Sequence, residues 1–160
     1  MPSTQTSASA AASRPAAAIF WAGLIAGAMD ISAAILVYGA MGARPIPLLQ
    51  GIAAGLLGMR AFSGGLATAA LGLLCHFAIA YGAAATYIAA SRIVAALARR
   101  PFLFGPLYGI AVYFFMQWIV QHSRAIHRPF SMQMTLVGCA IHIVCVGSPI
   151  ALVNWRFTVR

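Results

Sequence analysis

Asp30 is the only acidic side chain in a chain of 160 residues, and it sits inside a long apolar run. If that run crosses a membrane, a charge near its middle costs about 2.5–3.5 kcal/mol by insertion scales. Groups that costly turn inward, find a partner, and carry protons or ions. Two titratable candidates occupy comparable places: His76 and His142, each near the centre of another apolar run. A carboxyl group beside imidazoles can bind a proton and pass it on.

Helical spacing places each of these groups on a face built for close packing. Gly23, Gly27, Asp30 and Ala34 share one face; so do Ala69, Gly72, His76, Ala80 and Ala83, and so do Thr135, Gly138, His142, Cys145 and Pro149. Small residues at such positions let neighbouring helices approach, as in GxxxG contacts. A fourth run offers Gly105, Gly109 and Tyr113, with Gln117 nearer its end. The spacing therefore predicts a buried polar or proton site of Asp30, His76, His142 and Tyr113. The glycine pairs Gly23/Gly27 and Gly105/Gly109 are the expected packing contacts, within one chain or between chains.

Three other uses of these residues compete. Asp30 and one histidine can form a hydrogen-bonded pair that merely fixes helix register, modest glue of about 0.6 kcal/mol. His76 and His142 can be axial ligands of a haem, although no cofactor is the primary expectation. Cys139, His142 and Cys145, with Cys75 and His76, carry ligand types for zinc or copper. However, three such residues along one helix fan too widely to converge on one ion. His122 and His127, with Arg124 and Arg128, read as a solvated basic loop rather than a pH sensor. No nucleophile elbow, phosphate-binding glycine loop or carboxylate pair is present, which disfavours an enzyme.

The elements that hold these residues follow from composition. The chain is 62% hydrophobic and 7% charged, against about 25% charged in a soluble domain. Its net charge of +9 comes from arginines that stand singly or in small groups between apolar runs. That pattern flanks membrane spans and faces anionic lipid; it does not make the continuous basic face that nucleic acid requires. Cys75, Cys139 and Cys145 all lie in apolar runs, so no disulfide framework is expected.

About 20 apolar residues cross hydrocarbon. Four runs qualify: Ala16 to Met41, Leu66 to Ala90, Phe102 to Gln121, and Met132 to Val153, the last with Ser131 as N-cap. Residues 1–15 read as a disordered tail and 156–160 as a C-terminal tail. A signal peptide cleaved near Ala26-Gly27-Ala28 is the weaker reading, because the apolar run continues well beyond it. Between the first two spans, Ile46 to Met59 would rise only about 20 Å as a helix. It reads as an interfacial or re-entrant helix, with a fifth span as the alternative. The expected fold is thus an all-α membrane protein of four spans plus this short helix. Arg14, Arg92, Arg99, Arg100, Arg156 and Arg160 then share one side, and Arg44, Arg60, Arg124 and Arg128 the other. The positive-inside rule puts both termini in the cytoplasm.

The stretches GLIAGAMDI (Gly23 to Ile31), Leu48 to Ala80, PLYGIAVYFFM (Pro106 to Met116), RPFS (Arg128 to Ser131) and IHIVCVGSPIAL (Ile141 to Leu152) resemble a group of small bacterial inner-membrane proteins, the YagU-like proteins. The likeness covers most of the chain after the tail. It implies a bacterial inner-membrane location and a four-helix body, and it carries no catalytic residues. The expected partners are the bilayer and a second copy or larger membrane complex. The activity this reading points to is structural or proton-coupled, with a small proton-coupled transporter as one alternative and a bis-histidine redox subunit as another.

Overall fold

A computed structural model describes residues 4–125 and 130–159 of the chain. Among the described residues there is no strand; the elements are α1 (Thr4–Ala40), α2 (Pro45–Leu57), α3 (Gly65–Ile93), α4 (Ala95–Arg99), α5 (Pro101–Gln121), α6 (Met132–Ile141) and α7 (Ser148–Val159). A 3-10 stretch, Gly58–Ser63, follows α2, and a π-helical stretch, His142–Gly147, joins α6 to α7 into one rod. Among the described residues five helices are long and apolar enough to cross a membrane: Pro15–Ala40, Pro45–Ser63, Gly65–Ile93, Pro101–Gln121 and Met132–Thr158. The fifth arises because the 3-10 stretch lengthens the segment expected to be short. Large apolar side chains stand outward over the whole body, among them Leu36, Leu66, Phe102 and Leu136, each more than 60% exposed. Water would not tolerate such a surface, whereas hydrocarbon does.

Helix α1 begins earlier than the sequence reading placed it. Its first turns run through Thr4 to Arg14, which that reading left as a tail. Alanine and serine dominate this stretch, and alanine is the strongest helix former. At the other end of the chain the last helix continues to Val159, beyond the expected boundary at Val153.

The directions of the helices follow from which residues touch. Gly23 lies under Tyr81, Gly27 under Phe77 and Ala80, and Asp30 faces His76. As numbers rise along α1 they fall along α3, so these two helices are antiparallel. Against the α6–α7 rod, Gly105 meets Ser148 and Ala151, Gly109 meets His142, and Tyr113 covers Gly138, so α5 and the rod are antiparallel as well.

Helix α2 lies beside the first turns of α3. The Gln50 amide donates to the Gly65 carbonyl (2.9 Å) and the Thr68 hydroxyl (3.3 Å), and Thr68 in turn donates to the Ala61 carbonyl (2.6 Å). Gln50 and Ala61 thus sit at the same end of α3, although the rest of α2 and the first half of the 3-10 stretch separate them in sequence. Gly72 lets the two backbones touch: a Cβ there would meet the carbonyl oxygen of Leu49, with the carbonyl carbon 2.8 Å away. Backbone cannot rotate aside as a side chain can, so Gly72→Ala is expected to cost about 1–3 kcal/mol by overpacking. The measurable result is faster hydrogen–deuterium exchange across 45–57; unchanged exchange in that segment contradicts the contact.

Proline explains the π-helical stretch. Pro149 has no N–H, and its ring collides with the carbonyl four residues back in a regular helix. Widening the preceding turn relieves that clash. The Ser148 N–H and its hydroxyl both donate to the Ile143 carbonyl, the hydroxyl at 2.7 Å. Ser131 caps the start of α6 by accepting from the Met134 N–H at 3.4 Å, as its position before the span predicts.

Candidate functional site

Close approach of α1 to α3 and to the rod brings Asp30 between the two histidines. His76 Nδ1 lies 3.9 Å from Asp30 Oδ2, and His142 Nδ1 lies 4.0 Å from Asp30 Oδ1. The side chains of Asp30, His76 and His142 remain 16%, 13% and 20% exposed. The expectation of a sealed interior cluster is therefore corrected: these groups converge, but on the wall of an open cavity. Small residues hold α1 near its neighbours at this depth, yet they fill too little volume to close the space beside Asp30.

Backbone carbonyls set the protonation pattern. His76 Nε2 is 2.9 Å from the Gly27 carbonyl, and His142 Nδ1 is 2.9 Å from the Gly138 carbonyl. A carbonyl only accepts, so each of these nitrogens carries a hydrogen. His76 Nδ1 is then the ring nitrogen left without a backbone partner, 3.9 Å from Asp30 Oδ2. His142 already gives its Nδ1 hydrogen to Gly138, and Asp30 Oδ1 is buried without a hydrogen-bond partner. Neither histidine nitrogen is close enough to Asp30 for a hydrogen bond. The carboxyl group is therefore under-satisfied.

Tyr113 stands behind this group rather than within it. Its ring packs edge-on to His142, with centroids 5.4 Å apart, while its hydroxyl accepts from the Gln117 amide at 2.9 Å. The hydroxyl is thus committed along its own helix, to a residue one turn on. Gly23 and Gly27 admit the rings of Tyr81 and Phe77, and Gly105 and Gly109 admit the backbone of the rod, so both glycine pairs serve contacts inside one chain. The Gly27 and Gly138 carbonyls, which orient the imidazoles, escaped the sequence reading because backbone atoms have no residue signature.

Asp30, His76 and His142 line a cavity of about 800 Å³ that runs from mid-depth to Ser123 and Ala125, just beyond α5. Its walls come from α1, α2, α3, α5 and the π-helical stretch. Next to it the bundle is tightly packed. There Ala18, Ala22, Ala84, Tyr87, Ile150 and Ala151 have almost no exposure, and the hydroxyls of Tyr87 and Tyr108 donate to the carbonyls of Leu97 and Ala83. A smaller cavity of about 260 Å³, beside Ser91, Arg92 and Asn154, opens beyond this layer.

Two alternatives do not fit this geometry. A haem between His76 and His142 would need the space that Asp30 occupies. Among the described residues, no group of three or more histidine, cysteine and acidic side chains is arranged to hold a metal ion. His122 bonds through Nδ1 to the Trp118 carbonyl at 2.8 Å and its ring lies tilted against that indole; His127 and Arg128 lie outside the described residues.

Apolar, outward-facing helices of membrane length make the chain a multi-pass helical membrane protein, distinguished by a carboxyl group and two imidazoles meeting at a cavity. No family model, curated protein or solved structure matches it.

Proposed function

We propose that the protein is a small proton-coupled carrier of a bacterial inner membrane, with Asp30 as its proton-binding group and His76 and His142 as the groups that tune and relay the proton. The supporting observation is the unsatisfied state of Asp30. A register-fixing pair would be hydrogen-bonded, yet Oδ1 has no partner and both histidine nitrogens stand off at 3.9 and 4.0 Å. A costly, poorly satisfied charge at mid-membrane is kept for function rather than for stability. The packed layer of Ala22, Ala84, Tyr87 and Ile150 on one side of the cavity adds to this reading, because a carrier must expose its site to one side at a time.

The topology that goes with it has four spans, with α2 lying across the end where α1 stops and α3 starts. Antiparallel α1 and α3 support it, since a spanning α2 would make them parallel. Arg92, Arg99, Arg100 and Arg156 then share one end and Arg44, Arg60 and Arg124 the other, which puts both termini in the cytoplasm. The YagU-like resemblance supports the inner-membrane location.

Because Asp30 is the sole acidic side chain, infrared spectroscopy can watch it directly. On acidification the reconstituted protein is expected to show the carbonyl stretch of one protonated side-chain carboxyl group, absent in Asp30→Asn. A spectrum without that band, or one that Asp30→Asn leaves intact, removes Asp30 as the proton-binding group.

A further inference from the structure

We infer that the cavity takes a monovalent organic cation with an apolar body, bound against Asp30 in exchange for the proton. This rests on the proton-site reading and names the cargo of that same site. A volume of about 800 Å³ is within the usual size of small-molecule sites. Its walls are largely apolar, with Ile31, Leu48, Ile52, Ile79, Val112 and Ile119 among them. Asp30 is the one carboxylate side chain available, and among the described residues no arginine lines the space.

Charge matching decides among ligand classes. An anion would face Asp30 with no cation to offset it. A neutral apolar molecule would leave the carboxylate unpartnered in a drier cavity, which costs more than the vacant site does. A dication would lack a second acid. A hard inorganic cation needs many oxygen ligands, and a soft one finds no converging ligand set among the described residues. A singly charged organic cation satisfies the carboxylate and lays its apolar body on the walls.

The exchange balances in charge. On binding, one positive charge enters and one proton leaves Asp30 or His76, so both imidazoles are neutral in the loaded site. The other titratable groups at the site are Cys75 on α3, Cys145 on the rod and Tyr38 on α1, with Tyr113 behind His142. None of them supplies a fixed positive charge.

Tetraphenylphosphonium and tetraphenylborate test the inference, since they share a shape and differ in sign. Calorimetry on the full chain in detergent is expected to show saturable phosphonium binding with release of about one proton per cation. Affinity should fall about tenfold per pH unit where the site is protonated, and Asp30→Asn should lose most of it. Borate should not bind. If both ions bind alike, or if neither pH nor Asp30→Asn alters phosphonium binding, the cavity reads no charge and the inference is overturned; the wild-type comparison stands even if the variant misfolds. A protein that shows the infrared band yet binds no phosphonium keeps its proton site and loses only this cargo. A protein without the band loses both.

Discussion

Asp30→Leu is expected to unfold later than the parent protein, by about 2 kcal/mol, while losing the proton-linked infrared band. The carboxyl oxygen Oδ1 is buried without a hydrogen bond, and the nearest nitrogens are beyond hydrogen-bonding distance. Removing such a group takes away a desolvation cost and little attraction. Leucine is somewhat larger than aspartate, but the adjoining cavity gives it room. Urea or thermal unfolding in detergent at neutral pH provides the measurement. Destabilisation by a similar amount would show that Asp30 holds α1 to its neighbours, and the carrier reading would lose its main support. Stabilisation with lost proton binding is the signature of a site kept at the expense of stability.

Gly109→Ala should act in the opposite direction, by about 3 kcal/mol or more. A Cβ at Gly109 would lie 2.5 Å from the His142 carbonyl oxygen and 2.7 Å from the Ile143 Cα. Both are backbone atoms, so the whole of α5 must shift away from the rod. Gly147 faces the Gly105 carbonyl and the Gly109 backbone from the other side, so no slack exists at the crossing. The displacement reaches the site directly, because the atom struck belongs to His142. Gly82→Ala is the natural control: a Cβ there meets nothing within 4 Å, and alanine gains up to about 1 kcal/mol in helix propensity. Equal unfolding midpoints for the two variants would refute the tight crossing.

Much of the site's address was legible along the chain. Each of Asp30, His76 and His142 could be placed near mid-depth by counting from the ends of its apolar run, since helical rise is constant. Their faces followed from 3.6-residue periodicity and from the small residues that share them. Less legible was how these faces meet. Tyr113 shares a face with Gly105 and Gly109 and was grouped with the site, yet its hydroxyl goes to Gln117, one turn along its own helix. Segment 45–63 admitted both an interfacial helix and a span, because its length and hydropathy are intermediate. The structure places its two ends, through Gln50 and Ala61, beside the first turns of α3.

The apolar helical class and the positions of one acid and two imidazoles along their helices were determined by sequence alone, because each depends on composition or on rise along a single helix. The tertiary structure decided which carbonyls fix the imidazole hydrogens, that Asp30 Oδ1 is left without a partner, and that a large cavity opens beside it. Those properties depend on distances between helices, set by where a missing Cβ lets two backbones touch and where a proline widens a turn. No residue encodes such a distance by itself.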